Sequence, residues 1–487
     1  MTAARIDLIG DLVSSAAEAV PERLAIVAPD GTSTTFAEFD RQARAVAGWV
    51  SAQTRRGDRV AVIADNGSDY ARLYYGVPRC GRILALINQR LNVDEQMAQL
   101  TAAQPAVLIG DARYLAALPH ISSIERVTSF DDVQWQRGQE VSTEAADPDD
   151  AAWLLFTSGS TGTPKPVIHT HRSITTAVRG TVAGRSVRSA GVYLLPFPMC
   201  HIAGYNMLVH HAAHSTVLPV PVFRPELFAA AVNAHGVTSC SLAPTMLHSL
   251  LAYLDESGTE LPTLREVAYG SAAIPADLLR RALDRLDVDF HQGYGMTETG
   301  GNVTFLGPAE HRAGARGDPA VLASAGRPHD EVEIRVDDDS GEILLRGAQV
   351  APALIPADGW FRTGDVGRLD DEGRLVVLDR LKDVIITGGE NVSSREVEDV
   401  LSSHPDVDAV AVVGVPDGYW GEAICAVVVA RPGRGPSADD LVTHVRAGLT
   451  AFKRPRHVLF VDALPTTSNG KVAKTEVRRW ARERFSS

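Results

Sequence analysis

A chain of 487 residues has room for about three domains of ordinary size and can bury a large core without covalent staples. With 45% apolar and 22% charged residues, it has the balance of a globular protein. Its formal net charge of −13 leaves no basic excess to offset phosphate repulsion, which argues against a general nucleic-acid binder but not against a ligand held by a few local donors.

Taken in chain order, Asp7 and Asp11 interrupt the first apolar residues, so no signal-peptide core is expected. No run of about 18 apolar residues could span a bilayer, and the cytoplasm is the expected compartment. Residues 12–20 and 36–53 are predicted helices, since Ala, Val and Trp recur every three or four positions. Short apolar runs at 59–64, 106–109, 153–156, 216–222, 237–242, 266–269 and 288–291 are predicted strands, with helix-like stretches between many of them. Such alternation predicts an α/β architecture with largely parallel sheet. Short strands at 331–336, 342–346 and 374–378, broken by Gly and Asp turns, predict a small β-rich subdomain. After Asp379 a compact α+β unit is expected. Its first helix opens on a capping box, Ser393 with Glu396, carries Val397, Val400 and Leu401 on one face, and ends at Pro405. Strands at 408–415 and 423–430 lead to a turn-rich joint from Pro432 to Pro436. Ser437 and Asp440 then open a helix with Leu441, Val445 and Leu449 on one face. Cys80, Cys200, Cys240 and Cys425 lie far apart without a C-x-x-C pair and read as reduced core residues.

Five loops carry candidate chemistry. Trp153-Leu-Leu-Phe156 runs into Thr157-Ser-Gly-Ser-Thr-Gly-Thr-Pro-Lys165. Glycines let amides approach an anion, hydroxyls add donors and Lys165 adds charge, although the spacing is not that of a Walker A loop. A plain Ser/Gly turn is the other reading. In Gln292-Gly-Tyr-Gly-Met-Thr-Glu298, the tyrosine offers a flat face to a base and Glu298 an oxygen ligand for Mg²⁺; a tight turn with a solvated Glu is the alternative. Trp360-Phe-Arg-Thr-Gly-Asp365 places a carboxylate on a tight turn, suited to ribose hydroxyls or simply a surface turn. The charged Leu378-Asp-Arg-Leu-Lys-Asp383 lies where the chain changes character and reads as an interdomain hinge or an ordinary linker. Pro465-Thr-Thr-Ser-Asn-Gly-Lys471 holds a lysine on a polar loop, functional or merely solvated.

Together and in this order, the five loops resemble the adenylate-forming superfamily of acyl-CoA synthetases, peptide-synthetase adenylation domains and beetle luciferases. Gly57-Asp-Arg-Val-Ala-Val62 and Phe452-Lys-Arg-Pro455 extend the resemblance to almost the whole chain. Asp379-Arg-Leu-Lys-Asp383 with Gly388-Gly-Glu-Asn-Val392 resembles the hinge and following loop of acyl-CoA and aryl-CoA ligases. The resemblance implies an AMP-binding and acyl-substrate domain over residues 1–378, a hinge at 379–382 and a mobile α+β domain over 383–487. It implies ATP phosphates at Thr157, Ser158, Gly159, Ser160, Thr161 and Gly162, with Lys165 nearby. Tyr294 would stack on adenine, with Gly270, Ser271 and Ala272 along its edge. Thr297 would meet phosphate, Glu298 and Thr161 would hold Mg²⁺, and Asp365 and Arg380 would hold ribose. Lys382 would occupy the hinge, with Gly388 and Gly389 in the loop beyond it. Lys471 would be the adenylation lysine, and His201, in Pro198-Met-Cys-His-Ile-Ala-Gly204, would stand where the acyl and thiol tunnels meet.

The activity so implied joins a carboxylic acid and ATP to give acyl-AMP and pyrophosphate, then passes the acyl group to coenzyme A. The acid pocket is expected around His201–Met207, Ala243–Thr245, Tyr269–Ala273 and Met296–Gly301, where the small Ala203, Gly204, Gly300 and Gly301 leave room for a chain or ring. A fatty, aryl or other apolar monocarboxylic acid is expected. Two positions depart from the family: Pro166 follows Lys165 where Gly is usual, removing an amide, and Ile386 stands where several relatives carry a lysine. The runner-up acceptor is a separate acyl carrier protein. Readings of another class are a non-catalytic nucleotide binder and a metal protein built on His201, His210, His211 and His214, with His210 and His214 on one helical face. A monomer or a homodimer is compatible with all of these.

Overall fold

The computed structural model describes residues 6–132, 146–158, 164–270, 274, 276–388, 390–466 and 472–485. The chain divides into two compact units, one of Met1–Ile334 with Leu345–Phe361 and the other of Arg335–Leu344 with Arg362–Ser487.

The first unit is α/β, as the alternation predicts. One sheet has six strands in the order Arg126–Ser129, Val107–Gly110, Arg59–Ile63, Ile83–Leu86, Ala151–Ser158, Pro164–Thr170, all parallel except the last. The other has nine, in the order Arg327–Pro328, Gly301–Leu306, Asp289–Met296, Glu266–Gly270, Ser239–Leu242, Val192–Leu195, Thr216–Pro219, Leu24–Val27, Ser33–Thr35. The six from Asp289–Met296 to Leu24–Val27 run parallel, and antiparallel strands close both sides. Central strands such as Val107–Gly110 and Ser239–Leu242 are buried throughout, which is why they read as short continuous runs and not as alternations.

Helices pack on these sheets through the predicted stripes. Phe36–Gln53 spans the predicted residues: Thr35 Oγ1 accepts from Glu38 N (3.2 Å) and Glu38 Oε2 from Thr35 N (3.0 Å), a reciprocal cap. Its Phe36, Phe39, Ala43, Val46 and Val50 are fully buried, each large side chain contributing about 1.5–3 kcal/mol of transfer free energy. The neighbouring helix Ser68–Arg79 comes close because Gly76 has no side chain; a Cβ there would lie 2.6 Å from Val46. The first helix is Ile9–Ala19, one turn earlier than expected because Ile9 is buried with Leu12, Val13 and Ala16.

In the second unit, residues 365–369 pair antiparallel with Leu375–Arg380. The strands expected at 331–336 and 342–346 form as Val332–Val336 and Glu342–Gly347. Beyond Arg380 lies the expected α+β fold, a sheet ordered Glu390–Val392, Ile385–Thr387, Gly421–Ala430, Val407–Asp417, with His457–Phe460 parallel to Gly421–Ala430. Alternate residues bury on opposite faces. Val412, Ile424, Ala426 and Val428 meet the helices Ser394–Ser402 and Ala438–Gly448, while Val413, Val415, Cys425 and Val427 meet Lys474–Phe485. One cap differs from expectation: Ser393 Oγ accepts from Glu396 N (3.2 Å), but the Glu396 carboxylate is taken by Lys453 Nζ at 2.6 Å, an ion pair replacing the reciprocal bond. The four cysteines are free and buried. Among the described residues, no helix is long and apolar enough to cross a membrane.

Candidate active site

Parallel strands put their carboxyl ends on one edge of a sheet, where open α/β folds bind ligands. In the nine-stranded sheet, Asp289–Met296, Glu266–Gly270, Ser239–Leu242 and Val192–Leu195 are consecutive neighbours. Of the segments expected to hold the acid, Ala243–Thr245 directly follows Ser239–Leu242, Met296–Gly301 begins at the last residue of Asp289–Met296, Tyr269 and Gly270 end Glu266–Gly270, and His201–Met207 follows Val192–Leu195 along the chain. Gly270 pairs with Gly293, and a Cβ on Gly270 would lie 2.7 Å from the Gly293 carbonyl, so the strands approach closely just before Tyr294. Tyr294 lies on the strand itself, opposite Thr304, not in a loop after it. Ser271 and Ala272 lie outside the described residues.

The strand runs on into a short turn, Thr297–Thr299, and Gly300 (φ +64°) reverses the chain into Gly301–Leu306. Thr299 Oγ1 ties the turn together, accepting from Met296 N at 3.0 Å and donating to Gly301 O at 2.7 Å. Thr297 and Glu298 are half-buried. Three successive carbonyls of the turn accept hydrogen bonds: Thr297 O from His169 Nε2 (2.7 Å), Glu298 O from Ala351 N (2.9 Å) and Thr299 O from Gln349 Nε2 (2.9 Å). A carbonyl can only accept, so Nε2 of His169 carries the proton, and Nδ1 faces Ser173 Oγ at 3.1 Å. Burial pushes the His169 imidazole down to about 4, leaving it neutral near pH 7.

Thr157, Ser158 and Lys165, read as loop residues, lie in an antiparallel hairpin with pairs Thr157↔Lys165 and Ser158↔Pro164. Lys165 is exposed. Pro166 stands opposite Phe156 in the strand. Pro164 and Pro166 occupy alternate positions of an edge strand, so their missing N–H groups fall on the same side, where a sheet tolerates proline. Gly159, Ser160, Thr161 and Gly162 lie outside the described residues.

His201 precedes the turn Ile202–Tyr205, and its Nε2 lies 3.5 Å from Asn88 Nδ2. Three of the four small residues expected to leave room stand directly against neighbouring side chains. The place of a Gly204 Cβ is taken by the Tyr74 hydroxyl, that of Gly301 by the Tyr205 ring at 2.7 Å, and that of Gly300 by His169 at 3.3 Å. These glycines admit buried aromatic rings. Nor do His210 and His214 share a helical face. The helix Asn206–Ala212 ends first, and His214 takes φ +55°. His210 stacks on Tyr193 with centroids 3.8 Å apart, while His211 binds Tyr75 Oη (2.7 Å) and Ala25 O (3.0 Å). Among the described residues, no three His, Cys, Asp or Glu are grouped to hold a metal ion.

In the second unit the two expected ribose residues meet directly. Asp365 and Arg380 are opposite each other on paired strands, with Oδ1 and Nε 2.7 Å apart, the carboxylate buried and the guanidinium half-exposed. Thr363-Gly364-Asp365 is part of the strand and not a surface turn: Gly364 takes φ +69°, and its N–H donates to Glu342 Oε1 at 2.9 Å. Asp379, in the expected hinge, is buried and caps Ser394–Ser402, its Oδ2 accepting from Ser394 N (2.5 Å) and Ser394 Oγ (2.8 Å). Lys382 is exposed. Gly388 takes φ +61°, and a Cβ there would lie 2.8 Å from the Trp420 ring. Ile386 is exposed, its N–H donating to Glu422 Oε2 at 2.9 Å. Gly389 and Lys471 lie outside the described residues.

His169, Gln349 and Asn88 escaped the sequence reading. His169 reads as one more residue of a strand and Gln349 as a lone polar residue, and His169 binds a turn 128 positions away. Only the burial of unpaired-looking polar residues could have flagged them.

Two family models match the chain: AMP-binding enzyme over residues 13–354 and AMP-binding enzyme C-terminal domain over residues 396–471. A feruloyl-CoA synthase of Amycolatopsis sp is 34% identical over 469 residues, covering 92% of this chain and 94% of the relative. The long-chain-fatty-acid–CoA ligase FadD13 of Mycobacterium tuberculosis is 32% identical, with 96% and 98% covered. The solved structure of the amide bond synthetase McbA from Marinactinospora thermotolerans superposes with a TM-score of 0.86 at 30% identity, covering 97% of this chain and 99% of that one. With both family models in register and relatives aligned along nearly the whole length, the chain belongs to the AMP-binding enzyme family and is an AMP-forming acyl-CoA ligase.

Proposed function

We propose that the substrate is an apolar monocarboxylic acid, fatty or aryl, activated as its acyl-AMP and passed to coenzyme A in the cytoplasm, where ATP and coenzyme A are both available. The observation that carries the site assignment is the Thr297–Glu298 pair. A hydroxyl and a carboxylate stand on a turn at the carboxyl edge of the parallel strands, directly after Tyr294. The Glu298 carboxylate is a hard oxygen donor that would hold Mg²⁺ with Thr161, while the Thr297 hydroxyl suits a phosphate oxygen. When bound, the metal neutralises charge on the ATP phosphates.

In the first step an oxygen of the acid bonds to the α-phosphorus of ATP as the bond to the bridging oxygen breaks and pyrophosphate leaves. The segment Thr157–Gly162 and Lys165 hold the phosphates, Tyr294 stacks on adenine beside Gly270, Ser271 and Ala272, and Thr297 donates to phosphate. Asp365, oriented by its ion pair with Arg380, accepts from the ribose hydroxyls. Lys471 stabilises charge on the transferring group, and such preorganised charge is a large part of catalysis here because little covalent chemistry falls to the protein. In the second step the thiol sulfur bonds to the acyl carbon, the acyl–oxygen bond breaks, AMP leaves and the thiol proton is released. His201 stands where acyl group and thiol meet. A hinge at 379–382 between domains 1–378 and 383–487 lets Lys471 withdraw before the thiol enters. Gly388 and Gly389 belong to the loop that follows.

Feruloyl-CoA synthase and the long-chain ligase act by name on an aryl and a fatty acid, which supports an apolar acid here. A panel of fatty, aryl, dicarboxylic and amino acids with ATP, with and without coenzyme A, read by mass spectrometry, tests the proposal. Acyl-CoA from apolar monocarboxylic acids is expected. Turnover confined to dicarboxylic or amino acids overturns the substrate class, and acyl-AMP that reacts only with a carrier-protein phosphopantetheine overturns the acceptor.

A further inference from the structure

We propose that His169 and Gln349 are positioning residues for adenylation, holding the turn that presents Thr297 and Glu298; this rests on the reading of that pair as the phosphate and metal contacts. A short turn followed by two glycines is intrinsically soft. Here it is pinned from outside at each of three successive carbonyls, two of them by buried side chains. Gln349 is fully buried, and its Nε2 also donates to Asn302 O at 3.1 Å. Its orientation is set from behind. His329 Nδ1 accepts from Glu331 N (3.3 Å), so Nε2 carries the proton and donates to Gln349 Oε1 at 2.6 Å. The amide therefore cannot flip without setting donor against donor.

His169 does the same from the other sheet. It lies on Pro164–Thr170, the strand paired with Thr157 and Ser158, so the strand bordering the expected phosphate segment also holds the backbone of the expected phosphate residue. Fixing a carbonyl fixes the peptide plane and hence the direction in which the next side chain leaves the backbone. A displacement of about 1 Å in such a group can cost on the order of 100-fold in rate.

The test uses four full-length variants: His169→Met and Gln349→Met, which keep length but lose the donor, His169→Gln, which retains an N–H near the Nε2 position, and Glu298→Gln. ATP binding with Mg²⁺ is measured by calorimetry without acid, alongside KM for ATP, KM for the acid and the adenylation rate. Both Met variants are expected to weaken ATP binding and slow adenylation at least roughly tenfold, with KM for the acid within about twofold. His169→Gln is expected to recover most of the loss. Gln349→Met stands on a different element and gives the reading if His169→Met does not fold. The inference is overturned if folded Met variants bind and adenylate as the parent does while Glu298→Gln is impaired. If Glu298→Gln also leaves Mg²⁺-dependent ATP binding and adenylation unchanged, the reading of the turn itself fails, and the inference with it.

Discussion

A Cβ at Gly301 would lie 2.7 Å from the Tyr205 ring, whose hydroxyl is 3.1 Å from Thr181 Oγ1 and 3.3 Å from Asn302 N. The ring is held on both sides and cannot give way freely. Gly301→Ala is therefore expected to cost about 1–3 kcal/mol, as overpacked positions do, read as a lower urea midpoint at unchanged slope. Gly301 also takes φ +156°, which strains a side chain, so a midpoint equal to the parent's would show that ring and backbone both yield. This glycine also marks a limit of sequence reading: a small residue beside an expected pocket looks like space for a ligand, and only coordinates reveal the neighbour that fills it. The proposed role of Lys471 is electrostatic. Lys471→Ala is expected to lower acyl-AMP formation by roughly two orders of magnitude or more, measured by ATP–pyrophosphate exchange, and near-normal exchange would remove this lysine from the mechanism.

Between elements, the helix His171–Gly184 is tied to the strand Glu266–Gly270 by Arg185, which follows the helix. Its guanidinium lies 2.5 Å from Glu266 Oε1, with both side chains almost wholly buried. Removing one partner strands the other charge away from water. Arg185→Met is expected to destabilise the protein by roughly 3–5 kcal/mol, and Arg185→Met/Glu266→Gln by less. Equal losses in denaturant titrations would mean that lost packing, and not the stranded carboxylate, sets the cost. Elements of this kind were legible where pattern and punctuation agree. The helix Phe36–Gln53 has its stripe in the sequence, and the strands Val407–Asp417 and Gly421–Ala430 appear as apolar runs between turns. The hairpin of Ala151–Ser158 with Pro164–Thr170 was not legible in full. Two prolines within three residues signal a loop, and what permits them is an edge position that depends on the whole sheet. The proposed site residues in Gly-rich loops are the ones that a sequence motif can point to. The polar residues that brace them were not, because a single buried His or Gln has no periodicity.

For the molecule as a whole, burial pushes the imidazoles of His171, His211 and His311 down to about 4 from an ordinary 6.5. They stay neutral in the folded chain while the unfolded chain takes up protons below pH 6.5. Stability is thus fully present above about pH 6.5 and is lost as pH falls toward 4, by up to about 1.4 kcal/mol per pH unit for each histidine. Urea midpoints are expected to fall steadily between those values; a flat profile from pH 7 to 5 would mean that these rings charge inside the fold. Whether the acid is activated through its own oxygen on the α-phosphate is read out with an apolar acid carrying ¹⁸O in both carboxylate positions, incubated with ATP and coenzyme A. AMP bearing one ¹⁸O atom and a thioester bearing the other are expected. AMP free of label, or ADP and phosphate in its place, would contradict that expectation.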